Sequence, residues 1–147
     1  PWALAGGHMS LRTFLLLILD GQKTDMKYWE DAIQNGIYYT RDDLVGTCKF
    51  GGAPDDSIVG SINDMYGLSM TKDEMYTAIR RSYLRGRLLE KKVGYTDEEY
   101  DVPGRVYERV NDNIKMPAFI TREFMDELKS RTEKNWDALT EKEGLSA

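Results

Sequence analysis

Cysteine and histidine are nearly absent from this sequence, which holds one of each among its 147 residues, Cys48 and His8. A single cysteine cannot form a disulfide within the chain, so the sequence fits a reducing compartment and we predict a cytoplasmic location. One histidine and one cysteine supply at most a fragment of a metal site or of a nucleophilic constellation. Gly-rich phosphate loops and the HExxH, CxxC and GxSxG motifs are also missing, so the chain is underequipped as a complete enzyme.

Long apolar runs and an excess of positive charge are missing as well. The longest apolar run covers residues 14–19, which is too short to cross a membrane, and the basic segment and cleavage site of a signal peptide are absent. The formal net charge is −5 and the pI is near 5.0. Binding to phosphates requires an excess of Lys and Arg. We therefore expect neither a membrane nor a nucleic acid as a partner.

The composition is that of a globular domain. Hydrophobic residues make up 41% of the chain and charged residues 31%, which is enough apolar material for one core. Apolar residues recur at three- and four-residue spacing, and no pair of segments alternates as paired strands do. We predict an all-α fold with about five helices, in a single domain over residues 1–147.

Helix signals recur along the chain. The clearest predicted helix covers residues 72–92, where Thr71 and Glu74 form a capping box ahead of apolar residues at helical spacing. The cations in its second half suit the negative end of the helix dipole, and we prefer this interpretation to a binding patch. The other predicted helices begin at Ser10, Asp25, Asp55 and Thr121.

Residues 95–117 break the helical pattern. This segment is acidic and contains Pro103, Gly104 and Pro117, which leave little room for regular structure beyond a short turn around residues 105–110. We predict a long ordered loop here, wrapped around the helical domain.

One short segment carries a chemical motif. In TRDDLVGTCKF, residues 40–50, the residues Asp43, Gly46 and Cys48 form a DxxGxC pattern. The pattern follows a predicted helix end and precedes a breaker at residues 51–54, so we predict a loop, where ligands often bind. From the residue types alone, the cysteine is typical of a small buried apolar residue and the aspartate of a capping or turn carboxylate.

This pattern resembles the DxxGLC motif of the aldehyde ferredoxin oxidoreductase family of tungsten enzymes. The resemblance continues in order from Gly36 onward: NDMYGLSMTKDEM is similar to the stretch after the family's motif, and RSYLRGRLLEKKVGYTDEEYDVPGRVYE to its long helix and following loop. Residues 124–145 resemble the family's tail. Thr47 stands where the family has Leu or Ile, and Ser130 and Arg131 stand where a tyrosine pair is expected, which indicates a divergent branch.

The resemblance implies that the chain is the C-terminal helical part of a longer oxidoreductase. In the family, the motif touches a tungsten-bound pterin, and its cysteine is the fourth ligand of a 4Fe-4S cluster. Carried over, Cys48 would be a metal ligand, and Asp43, Gly46, Thr47 and Cys48 would form the cofactor-binding segment. The other cluster cysteines and the first pterin-binding half would lie upstream, so the isolated chain is expected to hold no cofactor and to be inactive.

The same resemblance extends to the stretch ALAGGHMS, residues 3–10, which is similar to a histidine-containing stretch near the family's substrate. It implies that His8 is a catalytic proton donor. The alternatives are that residues 1–8 were added ahead of a start at Met9 for expression, or that His8 has a structural role or none. Substrates would be aldehydes, or the related carbonyl or aromatic-CoA compounds of the benzoyl-CoA reductase branch. The implied partners are the remaining domains of the same enzyme and ferredoxin or another electron carrier.

A function of another class stays open: a standalone helical scaffold or protein-interaction domain without catalysis. Nine tyrosines and seven methionines favour it, because these side chains are well suited to protein interfaces. The two hypotheses differ in what they require of the sequence that precedes the chain. The enzyme requires a longer reading frame upstream of Pro1 that encodes the missing cluster cysteines.

Overall fold

The computed structural model describes residues 25–35, 40–47, 51–96, 101, 104–107 and 119–146. Within these ranges the chain forms five α-helices and one 3-10 helix, without a strand, which confirms the predicted all-α fold. None of the helices in these ranges is long and apolar enough to cross a membrane. The helices are α1 (Met26–Asn35), α2 (Thr40–Val45), α3 (Asp55–Tyr66), α4 (Lys72–Lys92) and α5 (Arg122–Lys142), with the 3-10 helix Gly104–Tyr107 before α5.

Local capping chemistry fixes where the long helices begin. The Thr71 hydroxyl accepts a hydrogen bond from the Glu74 amide at 3.2 Å, and the Glu74 carboxylate accepts one from the Thr71 amide at 2.7 Å. This reciprocal pair is the predicted capping box of α4. Thr121 caps α5 in the same way, through the Phe124 amide at 3.2 Å. Each of these helices has 21 residues. Helix α4 was predicted to be the longest, and α5 has the same length.

An aromatic core joins α1, α4 and α5. Trp29 of α1 makes T-shaped contacts with Phe119 and Phe124, with ring centroids 5.9 and 5.8 Å apart. Trp136 of α5 lies against Tyr83 of α4, with centroids 5.1 Å apart. The buried members of this aromatic core are Trp29, Ile33, Tyr83, Leu84, Ile120, Met125, Leu128 and Trp136.

A smaller apolar cluster joins α2, α3 and the first half of α4. Its buried members are Ile58, Met75 and Ile79, with Val45 of α2 packed against them. The turn between α3 and α4 is fastened by Asn63, whose side-chain amide exchanges two hydrogen bonds of 2.9 Å with the backbone of Met70. We call Ile58, Met75 and Ile79 the small cluster.

Helix α2 contradicts one secondary-structure prediction, and the 3-10 helix lies near another predicted element. Residues 40–45 were expected to be a loop and instead form α2, because Asp42 and Asp43 in its first turn suit the positive end of the helix dipole and Gly46 ends it. The 3-10 helix Gly104–Tyr107 lies near the predicted turn around residues 105–110. The helix predicted from Ser10 and most of the loop over residues 95–117 lie outside the described residues.

Candidate functional site

The residues of the DxxGxC pattern that the structure describes lie together at α2 and the turn that follows it. Asp43 lies within this six-residue helix with its side chain exposed. Gly46 directly follows the helix, and Thr47 comes next with a half-buried side chain. Cys48 and His8 lie outside the described residues. The structure therefore brings three of the five predicted site residues to one short helix and its end.

Gly46 has the backbone conformation that explains a glycine at this place. Its φ is 72°, in the left-handed region that side chains rarely adopt, and this conformation turns the chain out of α2. Among the described residues, no atom outside Gly46 and its two chain neighbours lies within 4 Å of a Cβ built on Gly46. The turn thus places the exposed Gly46 three residues after the exposed Asp43.

Thr47 is used by the turn itself. Its hydroxyl donates to Asp42 Oδ1 at 2.8 Å, and its amide donates to the Asp42 carbonyl at 2.9 Å. Asp42 is only 6% exposed, whereas the next residue, Asp43, is exposed. Consecutive residues of a helix point about 100° apart, so one of two neighbouring aspartates can be buried while the other faces solvent. The DxxGxC pattern contains Asp43 and not Asp42, so the sequence did not predict a role for the buried carboxylate.

Asp42 is paired with the cation that precedes it. Arg41 donates to Asp42 Oδ1 from Nε at 3.0 Å and from Nη2 at 2.7 Å. The same guanidinium donates from Nη1 to Asp55 Oδ1, in the first turn of α3. Arg41 therefore links the buried carboxylate of α2 to the carboxylate of Asp55, which lies 14 residues after Arg41 in the chain.

Asp55 connects three helices. The Tyr76 hydroxyl of α4 lies 2.9 and 2.8 Å from its two carboxylate oxygens, and Lys72 Nζ lies 3.4 Å from Oδ2. The Asp55 side chain is 18% exposed, so these contacts are partly shielded from water. Sequence reasoning assigned this residue only to the start of a helix. We call the hydrogen-bonded set Arg41, Asp42, Thr47, Asp55 and Tyr76 the Asp55 network.

The electrostatics of this network favour the ionised carboxylate. Burial alone raises the pKa of Asp55, but hydrogen bonds from Arg41, Tyr76 and Lys72 outweigh it, so the pKa lies below its ordinary value of 3.8. Burial, followed by the hydrogen bond to Asp55, raises the pKa of the Tyr76 hydroxyl. Near neutral pH, Asp55 is therefore a fixed negative charge and Tyr76 a neutral donor.

The cations of α4 pair with α5. Arg80 Nε donates to Glu143 Oε1 at 2.7 Å, and Arg81 Nη1 donates to the Glu143 carbonyl at 2.8 Å. Arg87 is buried, donates to Glu133 and lies with its Cζ 5.8 Å from the centre of the Trp136 ring. The predicted row of cations on α4 thus serves, in these residues, to hold the two long helices together.

The exposed carboxylate of Asp43 can accept hydrogen bonds. Among the residues with described positions, no group of three or more His, Cys, Asp or Glu side chains is arranged to hold a metal ion. A metal at this place would need Cys48 and ligands from elsewhere in the protein. Comparison with known protein families, curated proteins and solved structures gives no match to this chain.

Proposed function

We propose that this chain is the C-terminal helical part of a cytoplasmic tungstopterin and iron-sulfur oxidoreductase of the aldehyde ferredoxin oxidoreductase type. The observation that carries the proposal is the DxxGxC pattern at the end of α2, where an exposed Asp43 stands beside the open backbone of Gly46, two residues before Cys48. Its substrates would be aldehydes or related carbonyl or aromatic-CoA compounds. Its partners would be the remaining domains of the enzyme and ferredoxin or another electron carrier.

The described residues fit such a cofactor. An ionised carboxylate accepts hydrogen bonds, and a pterin ring offers N–H donors that Asp43 could hold. None of the described residues beyond its chain neighbours fills the space where a side chain on Gly46 would stand, so a flat ring could approach its backbone closely. Leu44 of α2 is 51% exposed, as expected for a surface that another domain covers.

The resemblance implies roles for the other residues that suit their chemistry. Cys48, as a thiolate, would bind one iron of a 4Fe-4S cluster, and the remaining irons would take ligands from upstream cysteines. His8 would donate a proton near the reacting carbon, since imidazole titrates near neutral pH. Thr47 would contribute by fixing the turn through Asp42. When bound, the tungsten cofactor would supply the two-electron redox chemistry.

Metal analysis of the native protein that contains this chain tests the proposal. We expect iron and tungsten in the wild type, loss of most of the iron and of ferredoxin or dye reduction in Cys48→Ser, and reduced tungsten in Asp43→Ala. The matched control is Asp56→Ala, which removes an exposed aspartate from the first turn of another helix. A Cys48→Ser protein with unchanged iron content and turnover would overturn the proposal.

The second candidate is a helical scaffold or interaction domain without catalysis. It is favoured by three apolar side chains at the turn between α3 and α4: Met65, Tyr66 and Leu68 are 72%, 68% and 52% exposed. Exposed apolar side chains of this kind suit a protein interface. The reading frame upstream of Pro1 separates the two candidates, because the oxidoreductase requires cluster cysteines there and the scaffold does not.

A further inference from the structure

Among the described residues, helix α2 has few apolar contacts. It has six residues, fewer than two turns, and a helix of this length is not stable without tertiary support. Of its two apolar side chains, Val45 packs on the small cluster, whereas Leu44 is half exposed. Within the described part of the chain, polar contacts are therefore the more numerous support for α2 and the turn after it, and we expect them to fix its position.

Those polar contacts form one continuous chain of hydrogen bonds. It runs from the Tyr76 hydroxyl to Asp55, through the Arg41 guanidinium to Asp42, and from there to the Thr47 hydroxyl. It begins on α4, passes the first turn of α3, and ends at the residue before Cys48. Asp55 is its central acceptor, since it takes donors from both α2 and α4.

We infer that Asp55 is a positioning residue, which acts with Tyr76 through Arg41 and Asp42 to hold residues 40–47 in place. The inference rests on the proposed function for its purpose, which is to fix Asp43 and the start of the cysteine segment against the cofactor. The holding of residues 40–47 by Asp55 does not depend on the proposed function. Directional, charge-assisted hydrogen bonds are suited to this task, because a site needs its supporting residues locked by further contacts.

Asp56 provides a matched control. It is the neighbouring aspartate in the same first turn of α3, and its side chain is exposed, while that of Asp55 is largely shielded. Both residues contribute similarly to the helix dipole, so Asp55→Asn and Asp56→Asn remove the same charge from the same turn. Any difference between the two variants reports on the contacts of Asp55 to Arg41, Tyr76 and Lys72.

Tyr76→Phe is the second test variant. It removes the hydroxyl that reaches Asp55 and leaves the ring to pack against the small cluster. Because it keeps the apolar contacts, it provides the test if Asp55→Asn fails to fold.

The first measurement is amide hydrogen exchange in the native protein that contains this chain. Loss of hydrogen bonds to a charged group should speed exchange in residues 42–47 about tenfold or more in Asp55→Asn, and by a smaller factor in Tyr76→Phe. The Thr47 amide, which donates to the Asp42 carbonyl at 2.9 Å, is the most direct reporter. Exchange in α5 should not change, and Asp56→Asn should match the wild type throughout. Equal exchange in Asp55→Asn and Asp56→Asn would overturn the inference.

The second measurement is the electron paramagnetic resonance spectrum of the reduced protein. Asp55→Asn and Tyr76→Phe should retain iron but show altered g-values, whereas Asp56→Asn should give the wild-type spectrum. Unchanged spectra in both test variants would show that the network does not position the cluster segment, and would overturn the inference. A wild type without an iron-sulfur signal would instead overturn the proposed function, while hydrogen exchange would still decide whether Asp55 holds α2.

Discussion

The aromatic core and the Asp55 network hold the two ends of α4 by different physical means. In the second half of α4, Tyr83 and Leu84 join large apolar side chains from α1 and α5. In its first half, Met75 and Ile79 belong to the small cluster, and beside them Tyr76 donates to Asp55. The second half of α4 thus combines extensive apolar burial with the Arg87–Glu133 ion pair, whereas its first half combines a smaller apolar cluster with the network around Asp55.

The two regions therefore differ in what they contribute: the aromatic core stabilises the fold, and the Asp55 network fixes the position of residues 40–47. Apolar burial contributes about 25 cal/mol per Å² of buried surface and has little directional character, so it stabilises the fold and tolerates small shifts. Hydrogen bonds between charged groups add less in total, but they fix distances and angles. The segment that carries the candidate site, residues 40–47, depends on the second kind. We therefore expect the site to be more sensitive than the aromatic core to acid and to loss of a single charge.

The largest effect is expected in the aromatic core. Trp136 is fully buried against Tyr83, so Trp136→Ala should lower the free energy of unfolding by about 3–5 kcal/mol. Its indole Nε1 is buried and has no hydrogen-bond partner among the described residues, so Trp136→Phe should cost clearly less. Urea denaturation measures both. Met65→Ala, at a side chain that is 72% exposed, is the control and should stay within about 0.5 kcal/mol of the wild type. A small loss in Trp136→Ala would contradict the comparison.

The next effect is the acid sensitivity of the Asp55 network. The carboxylate faces Arg41, Lys72 and Tyr76, and its pKa in the folded protein lies below the ordinary 3.8. The unfolded chain therefore takes up this proton first as the pH falls, so the contribution of Asp55 is present above pH 3.8 and is lost below it. Asp55→Asn should be less stable than the wild type by about 1.5–3 kcal/mol near neutral pH, and the difference should shrink in acid.

Urea midpoints measured from neutral pH to about pH 3 would record this convergence. Asp56→Asn, the exposed neighbour, should lose only its interaction with the helix dipole, about 0.3–1 kcal/mol near neutral pH. If the gap between Asp55→Asn and wild type were the same at both ends of the range, its stabilising contribution would not depend on the charge. The contrast between the two regions would then fail.

Local patterns predicted most of the helices. The capping box of Thr71 and Glu74, and the caps at Asp25 and Thr121, are signals contained within a few residues, and each is made in the structure. Gly67 ends α3 with a φ of 64°, as a left-handed exit requires. The all-α fold follows from these signals together with the helical spacing of apolar residues.

Contacts between distant parts of the chain could not be predicted in this way. Helix α2 is too short for a recognisable apolar stripe, and its main polar support is Asp55, 14 residues from Arg41 and 21 from Tyr76. Nothing in the sequence separates the buried Asp42 from the exposed Asp43. The motif predicted Asp43, Gly46 and Thr47 as neighbours at one site, but only the structure shows that Thr47 serves the turn.

The smallest effect should come from a carboxylate in the region of the aromatic core. Glu143 at the end of α5 is 11% exposed, but its partners Arg80 and Arg81 are 33% and 35% exposed, against 14% for Arg41, so solvent screens these ion pairs more from the side of the cations. Glu143→Gln should lower the free energy of unfolding by about 1 kcal/mol or less, because the nearby apolar burial is intact and the Glu143 carbonyl still accepts from Arg81. Urea denaturation measures the loss, and Glu141→Gln, an exposed carboxylate in the same last turn, is the matched control. A loss as large as that of Asp55→Asn would mean that charge matters equally in both regions, and that the Asp55 network is not specialised for holding α2.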